Sequence, residues 1–316
     1  MADKASETTV EPVSILPSGK PADSVGNVSS KPTSIATLIA KSPERADAFL
    51  SHLFRCMQTR AGADAVLMFL CYSTRLTGSV LEIVGRSALK ATARQLVATL
   101  FKLPPATTVV MASTTTPPAV ALTLQLAGHL KAYSGMLSEM RCMGRLWGLL
   151  GLYFASKKLI LKSRQQASQK SASEKTTEED VESGFDTALA YAQIISLIIF
   201  QASENVAYLS SKKVLPFSPA TQGKLGLLSV RSWGLYVGME VVRLLIERSR
   251  KQRSALATKD FTWVESWKKA FLRNASWAPL TVHWGMANGP LPDVLVSFFG
   301  AYPATSQMLE LWKSTA

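Results

Sequence analysis

Residues 138–160 read SEMRCMGRLWGLLGLYFASKKLI, an apolar run that holds Glu139, Arg141 and Arg145 near its start and closes on Lys157 and Lys158. Such a run fits a helix across a bilayer, a helix in a protein core, or a helix lying on a membrane surface. On a helical wheel Ser134, Ser138, Arg141, Arg145 and Gly148 follow one another by steps of four, three, four and three, so they share one narrow face. Most of the remaining circumference is Met136, Met140, Met143, Leu146, Trp147, Leu150, Tyr153 and Phe154, with Glu139 and Leu152 breaking the segregation. A charge at the centre of a spanning helix costs about 2.5 to 3.5 kcal/mol, which disfavours a span carrying three of them. A surface helix keeps its cations among head groups and avoids most of that cost. The same periodicity also fits a helix packed on its neighbours in a bundle.

The formal net charge of +13 points to an anionic partner, either nucleic acid or phospholipid head groups. The basic residues flank apolar runs and accompany no paired metal ligands or aromatic reading sheet, so nucleic acid is not the expected partner. Cys56, Cys71 and Cys142 lie far apart with no CxxC pair, and are expected as small buried residues rather than as a disulfide or zinc framework. The histidines His52, His129 and His283 are scattered, with no hydrolase, P-loop or dinucleotide motif around them, so neither catalysis nor a cofactor is expected. The N-terminal residues carry acids and no apolar core, which predicts no secretory signal peptide.

The chain divides into four stretches. Residues 1–42 are rich in Ser, Thr and Pro without apolar periodicity and are expected to be disordered. Residues 43–161 form an N-terminal helical region: a first helix to about Gln58, a second over 64–101, a Pro/Thr-rich insert at 103–120, and a third helix over 119–161. In the second helix Arg75, Ser79, Glu82, Arg86 and Lys90 trace one polar face, which places Leu76, Val80, Ile83 and Val84 on the expected buried side. Residues 162–185 read as a polar linker and 186–316 as a C-terminal helical membrane region. There, 187–203 carry no charge, at the lower limit for a span, and 275–309 carry only Asp293, with ANGPLPD predicting a break. Gly234 and Gly238 form a GxxxG that permits close helix approach and marks a candidate self-association face. The predicted fold class is all-α: a membrane-associated protein with amphipathic helices and one or two membrane-inserted C-terminal segments.

Four stretches carry a resemblance: GADAVLMFLCYSTRL at 62–76, EMRCMGRLWGLLGLYF at 139–154, ASENVAYLSSKKVLP at 202–216, and RNASWAPLTVHWGMANGPLPDVLVSFFGAYPATSQMLELW at 273–312. In order and spacing the chain from about residue 45 onward resembles the peroxisomal membrane biogenesis factor 11 (peroxin-11) family, its fungal members above all. The resemblance implies a peroxisomal membrane protein that elongates the membrane before division, self-associates and works with the membrane fission machinery. It also implies that Arg141 and Arg145 are the basic residues of a membrane-remodelling helix. The insert and the N-terminal tail lie outside the family's usual core.

The leading expectation is therefore a wedge, in which an amphipathic helix enters one leaflet of an anionic membrane and favours curvature. A solute channel or pore built from the same helices is the alternative. Glu204, Asn205 and Asp293 are the few polar residues near its apolar segments, and the expected explanation of them is the blander one, an exposed loop for Asp293 and helix-end satisfaction for Glu204 and Asn205.

Overall fold

A computed structural model describes residues 42–102, 117–170, 178–253 and 261–316, and among these every regular element is a helix. The expected N-terminal tail and most of the Pro/Thr-rich insert lie outside the described residues. The chain separates into two compact units, Met1–Ala48 and Phe49–Ala316. Only residues 42–48 of the first unit are described, as the opening turns of α1 (Ser42–Met57), which begins where Pro43 fits a first turn.

In the second unit α2 (Arg60–Leu100) starts four residues before its expected position, because the Thr59 side chain accepts the Gly62 N–H at 3.0 Å and caps the helix. The single helix expected over 119–161 is two, α3 (Pro118–Arg145) and α4 (Gly148–Lys170), separated by Leu146 and Trp147. Helix occupies 162–170, and α5 (Glu178–Ser211) begins well before Thr187, so of the polar stretch 162–185 only 171–177 lie outside described helix. Mixed-charge residues at i and i+4 spacing tolerate helix where composition alone reads linker. The remaining helices are α6 (Pro219–Arg253), α7 (Phe261–Trp284) and α8 (Asp293–Ser314), and the predicted ANGPLPD break falls between the last two.

Helix α2 lies along both α3 and α8, α8 packs on α7, α7 on α6, α6 along α5, and α5 along α4 with a further touch on α3. The packing neighbours thus form the circuit α3, α2, α8, α7, α6, α5. Its centre is aromatic. Met68 and Tyr72 of α2 meet Ala301 and Ala304 of α8 and Trp277 and Trp284 of α7. Trp233 of α6 joins them, 5.3 Å from Trp277 edge-on and 6.2 Å from Trp284 stacked. Pairs of this kind contribute about 0.5 to 1.5 kcal/mol beyond their burial.

Among the described residues two helices are long and apolar enough to cross a membrane, Arg60–Thr99 within α2 and Gly184–Ser211 within α5. The second contains the charge-free stretch at 187–203. The first was not expected, since its charges recur at helical spacing and conceal the apolar length between them. The segment 275–309, expected as the other inserted region, is divided between α7 and α8 at 285–292.

Gly300 lets α8 close on α2, because a Cβ there would run into the ring of buried Tyr72. Gly300→Ala should lower unfolding stability in detergent by about 1 to 3 kcal/mol, the usual cost of overpacking. A thermal midpoint equal to that of the parent chain would show that α8 is not held to α2 by this contact.

Candidate functional site

The apolar face expected on 136–154 is present and points away from the protein. Met136, Met140, Met143, Trp147, Leu150, Tyr153 and Phe154 are all exposed, Trp147 at 72%. Leu146, at the junction of α3 and α4, is half-buried. The same polarity holds on α2, where Val80, Ile83 and Val84 are exposed and Ser79 is buried. This inverts the expected orientation of α2 over 75–84, where Arg75, Ser79 and Glu82 turn toward partners on α3 and α8, while Arg86 and Lys90 of the same row are exposed.

Arg141 and Arg145 were expected to face head groups, and the structure turns both inward. Arg141 donates through Nε to Asp64 Oδ1 at 2.9 Å and through Nη2 to Oδ2 at 3.3 Å, with its side chain only 12% exposed. Arg145 donates to both oxygens of Glu204 at 2.8 and 2.7 Å. Each fork-to-fork pair satisfies a guanidinium in partly buried surroundings, where an unpaired charge is costly. Arg60 donates to the Gly144 carbonyl at 2.9 Å and the Asn205 side-chain amide to the Leu146 carbonyl at 3.1 Å. The expected helix-end role of Asn205 is therefore met at the end of α3. Glu204, in contrast, holds an arginine.

A second charged seam joins α2, α3 and α8. Asp293, the first residue of α8, accepts from Arg75 at 2.7 and 3.1 Å, from Ser79 Oγ at 2.9 Å and from Lys131 at 2.6 Å. Lys131 also pairs with Glu82, which in turn pairs with Arg86. Burial alone would raise the Asp293 carboxyl, but the hydrogen bonds from Lys131, Arg75 and Ser79 outweigh it and hold the group well below the usual carboxylate range. Asp293 is thus no free loop residue. Two cavities flank Lys131: one of about 370 Å³ bounded by Arg75, Ser134, Ser138 and Asp293, and one of about 710 Å³ bounded by Glu82, Arg86, Lys90 and Leu124.

The carboxylates Asp64, Glu82, Glu204 and Asp293 are the acids of otherwise low-charge helical stretches, and every one holds a cation on another helix. Sequence reasoning missed Asp64 and did not connect Glu82 or Glu204 to partners. The available signal was the isolation of each acid in an apolar segment, which demands a partner elsewhere.

Gly234 packs on Thr281 of α7, so one half of the GxxxG serves an internal contact, while Gly238 faces open space among the described residues. His283 accepts the Leu291 N–H at 3.1 Å and fastens the turn between α7 and α8. All three cysteines are free: Cys56 and Cys71 are buried and Cys142 is half-buried. Comparisons of the chain with protein-family profiles, curated proteins and solved structures give no match.

Glu204→Ala should destabilise the fold by about 1 to 3 kcal/mol by leaving Arg145 partly buried without its carboxylate. The exchange Arg145→Glu with Glu204→Arg should recover part of that loss, and the double-mutant cycle should give a favourable coupling of about 0.5 to 3 kcal/mol. Zero coupling would mean that the two side chains merely lie close.

Proposed function

We propose that the chain is a non-catalytic membrane protein that curves its bilayer by seating the apolar face of α3 and α4 in one leaflet. The observation that carries this reading is the inverted polarity: large apolar and aromatic side chains face outward over 136–154 while charged and hydroxyl groups pack between helices. Contiguous exposed apolar surface of this kind requires a covering, and hydrocarbon suits a face this long. Helices α2 and α5 supply the length and apolarity for anchoring spans. At 1.5 Å per residue α2 exceeds the roughly 30 Å hydrocarbon core, so one end of it projects beyond the bilayer. An apolar face inserted on one side expands that leaflet alone, and the area mismatch favours curvature.

The four resembling stretches support the peroxisomal membrane as the site of action and elongation, division and proliferation of the organelle as the outcome. On that reading the chain self-associates and cooperates with membrane fission machinery. Gly238, open where Gly234 is occupied, is the contact proposed for a second copy.

A second reading, a solute channel, is favoured by the seam of Arg75, Glu82, Lys131 and Asp293 with its two flanking cavities. Charged side chains inside a helical membrane protein usually line a pathway or pair with one another. Single-channel conductance in planar bilayers separates the two readings, since a wedge leaves the bilayer electrically silent.

Full-length protein should stay in the membrane pellet after alkaline carbonate extraction and should draw reconstituted vesicles into tubules. Trp147→Glu with Phe154→Glu should abolish tubulation and leave pelleting intact, because the anchoring helices are untouched. Tubules formed equally by the double variant would remove α3 and α4 from the mechanism. Gly238→Leu should reduce cross-linked dimers, whereas an unchanged dimer yield would exclude that face as the contact.

A further inference from the structure

We propose that the end of α5 makes the apolar face of α3 insertable: Lys212 and Tyr208 are positioning residues that hold Glu139, so that its carboxylate enters the leaflet as a neutral pair. The proposal rests on the membrane reading above and adds the residues that regulate the seating of that face. Glu139 is the single acidic residue of α3 and α4. By helical spacing it lies about 40° from Met143 and about 60° from Met136 around α3, on the flank of the exposed apolar face. A bare carboxylate there would be drawn toward hydrocarbon along with the methionines beside it, which is costly.

Its partners come from one row of α5, where Glu204, Tyr208 and Lys212 recur at steps of four. Glu204 holds Arg145, and Lys212 pairs with Glu139. The Tyr208 hydroxyl lies 3.5 Å from the same Glu139 oxygen, and the Lys212 ammonium stands 5.6 Å from the centre of the Tyr208 ring. Acid precedes base along α3 and again along α5, so the two pairs form together where the helices meet in antiparallel order. The turn after α5 fixes Lys212 at the helix end. The Lys213 N–H donates to the Ser210 carbonyl at 3.0 Å, the Val214 N–H donates to the Leu209 carbonyl at 2.9 Å, and Lys213 sits at φ 61°. This is the left-handed closing position that glycine normally fills. Among the described residues Lys213 is the sole non-glycine with positive φ. Strain of this kind persists where surrounding contacts impose it, and here it stands directly beside the residue that pairs with α3.

The test reconstitutes the full-length chain, carrying Leu150→Cys with Cys142→Ser as the parent background, in phosphatidylcholine vesicles. A nitroxide at position 150 reports its access to oxygen dissolved in hydrocarbon relative to an aqueous relaxation agent. In the parent the label should sit in hydrocarbon. Lys212→Gln should lower the ratio of oxygen to aqueous access by about fivefold or more, because one unpaired carboxylate then opposes seating. Glu139→Gln should keep the parental ratio, and Glu139→Gln with Lys212→Gln should restore it, since the lysine is needed only while the carboxylate is present. Lys213→Gly removes an equal charge, relieves the turn and should leave the ratio in place. An unchanged ratio in Lys212→Gln overturns the proposal. So does a failure of Glu139→Gln to rescue Lys212→Gln, which would make Lys212 a head-group contact or a strut between the helices, and so does a loss of seating in Lys213→Gly. Failure of the membrane reading appears separately, as a water-exposed label in the parent.

Discussion

Pairing of isolated charges between apolar helices is the constraint on which the arrangement of this protein depends. Asp64, Glu82, Glu204 and Asp293 stand in stretches that otherwise carry few acids, and each meets a cation from a helix distant in sequence. An ion pair in partly buried surroundings is weak evidence for stability, since desolvation offsets much of its attraction. Its effect on specificity is larger: a slip of α3 by one turn would part Arg141, Lys131 and Arg145 from Asp64, Glu82 and Glu204 at once and take Lys131 from Asp293. With Arg141 and Arg145 turned toward their carboxylates, the large apolar side chains on the other side of α3 point outward. The exposed band of Met140, Trp147, Tyr153 and Phe154 is in this sense a consequence of Asp64 and Glu204.

Contacts between helices elsewhere follow the same logic with neutral groups. Ser196 of α5 donates to the Ser232 carbonyl of α6 at 2.5 Å, and Ser134 of α3 donates to the Cys71 carbonyl of α2 at 2.9 Å. Small hydroxyl residues let the backbones approach and hydrogen-bond at the seam, so little large apolar surface is needed there. Large side chains collect instead in clusters, among them Tyr72, Trp233, Trp277 and Trp284, where four helices converge. Gly300 is small for the same reason, giving α8 access to the Tyr72 ring.

Much of this was legible in the sequence, and the illegible part has a physical cause. Helical periodicity marks the existence of nearly every helix, and the prolines and glycine of ANGPLPD mark the break between α7 and α8. The interruption at Leu146 and Trp147 carries no Pro and only the bracketing Gly144 and Gly148 as a local signal, and it is held by contacts from elsewhere: Asn205 on the Leu146 carbonyl and Arg60 on that of Gly144. A wheel separates the faces of α2 and α3 but does not say which of them is inside. That depends on Asp64, 77 residues before Arg141, and on Glu204, 59 residues after Arg145. In a water-soluble bundle the apolar face would be buried, so the default reading of Val80, Ile83 and Val84 assigns them to the wrong side.

The same pairing bears on how a curved membrane would be produced. An isolated amphipathic segment must order its backbone at the moment of binding, at about 1 to 2 kcal/mol per residue, before apolar burial compensates. In the assembled chain α3 is already helical against α2, and α4 against α5, so an apolar face entering lipid from this arrangement would not incur that cost. A fragment limited to 134–158 also lacks Asp64 and Glu204, which frees Arg141 and Arg145 to meet head groups that they do not face in the whole protein. Electrostatic binding by such a fragment therefore reports on arginines that the intact chain holds inside. The cations nearest this face that the intact chain presents outward, Lys157 and Lys158 of α4, adjoin its last aromatic residues rather than lie opposite them. Exposed Ile160 and Leu161 stand among the α4 cations, so apolar and charged side chains share the outer side of that helix beyond Phe154.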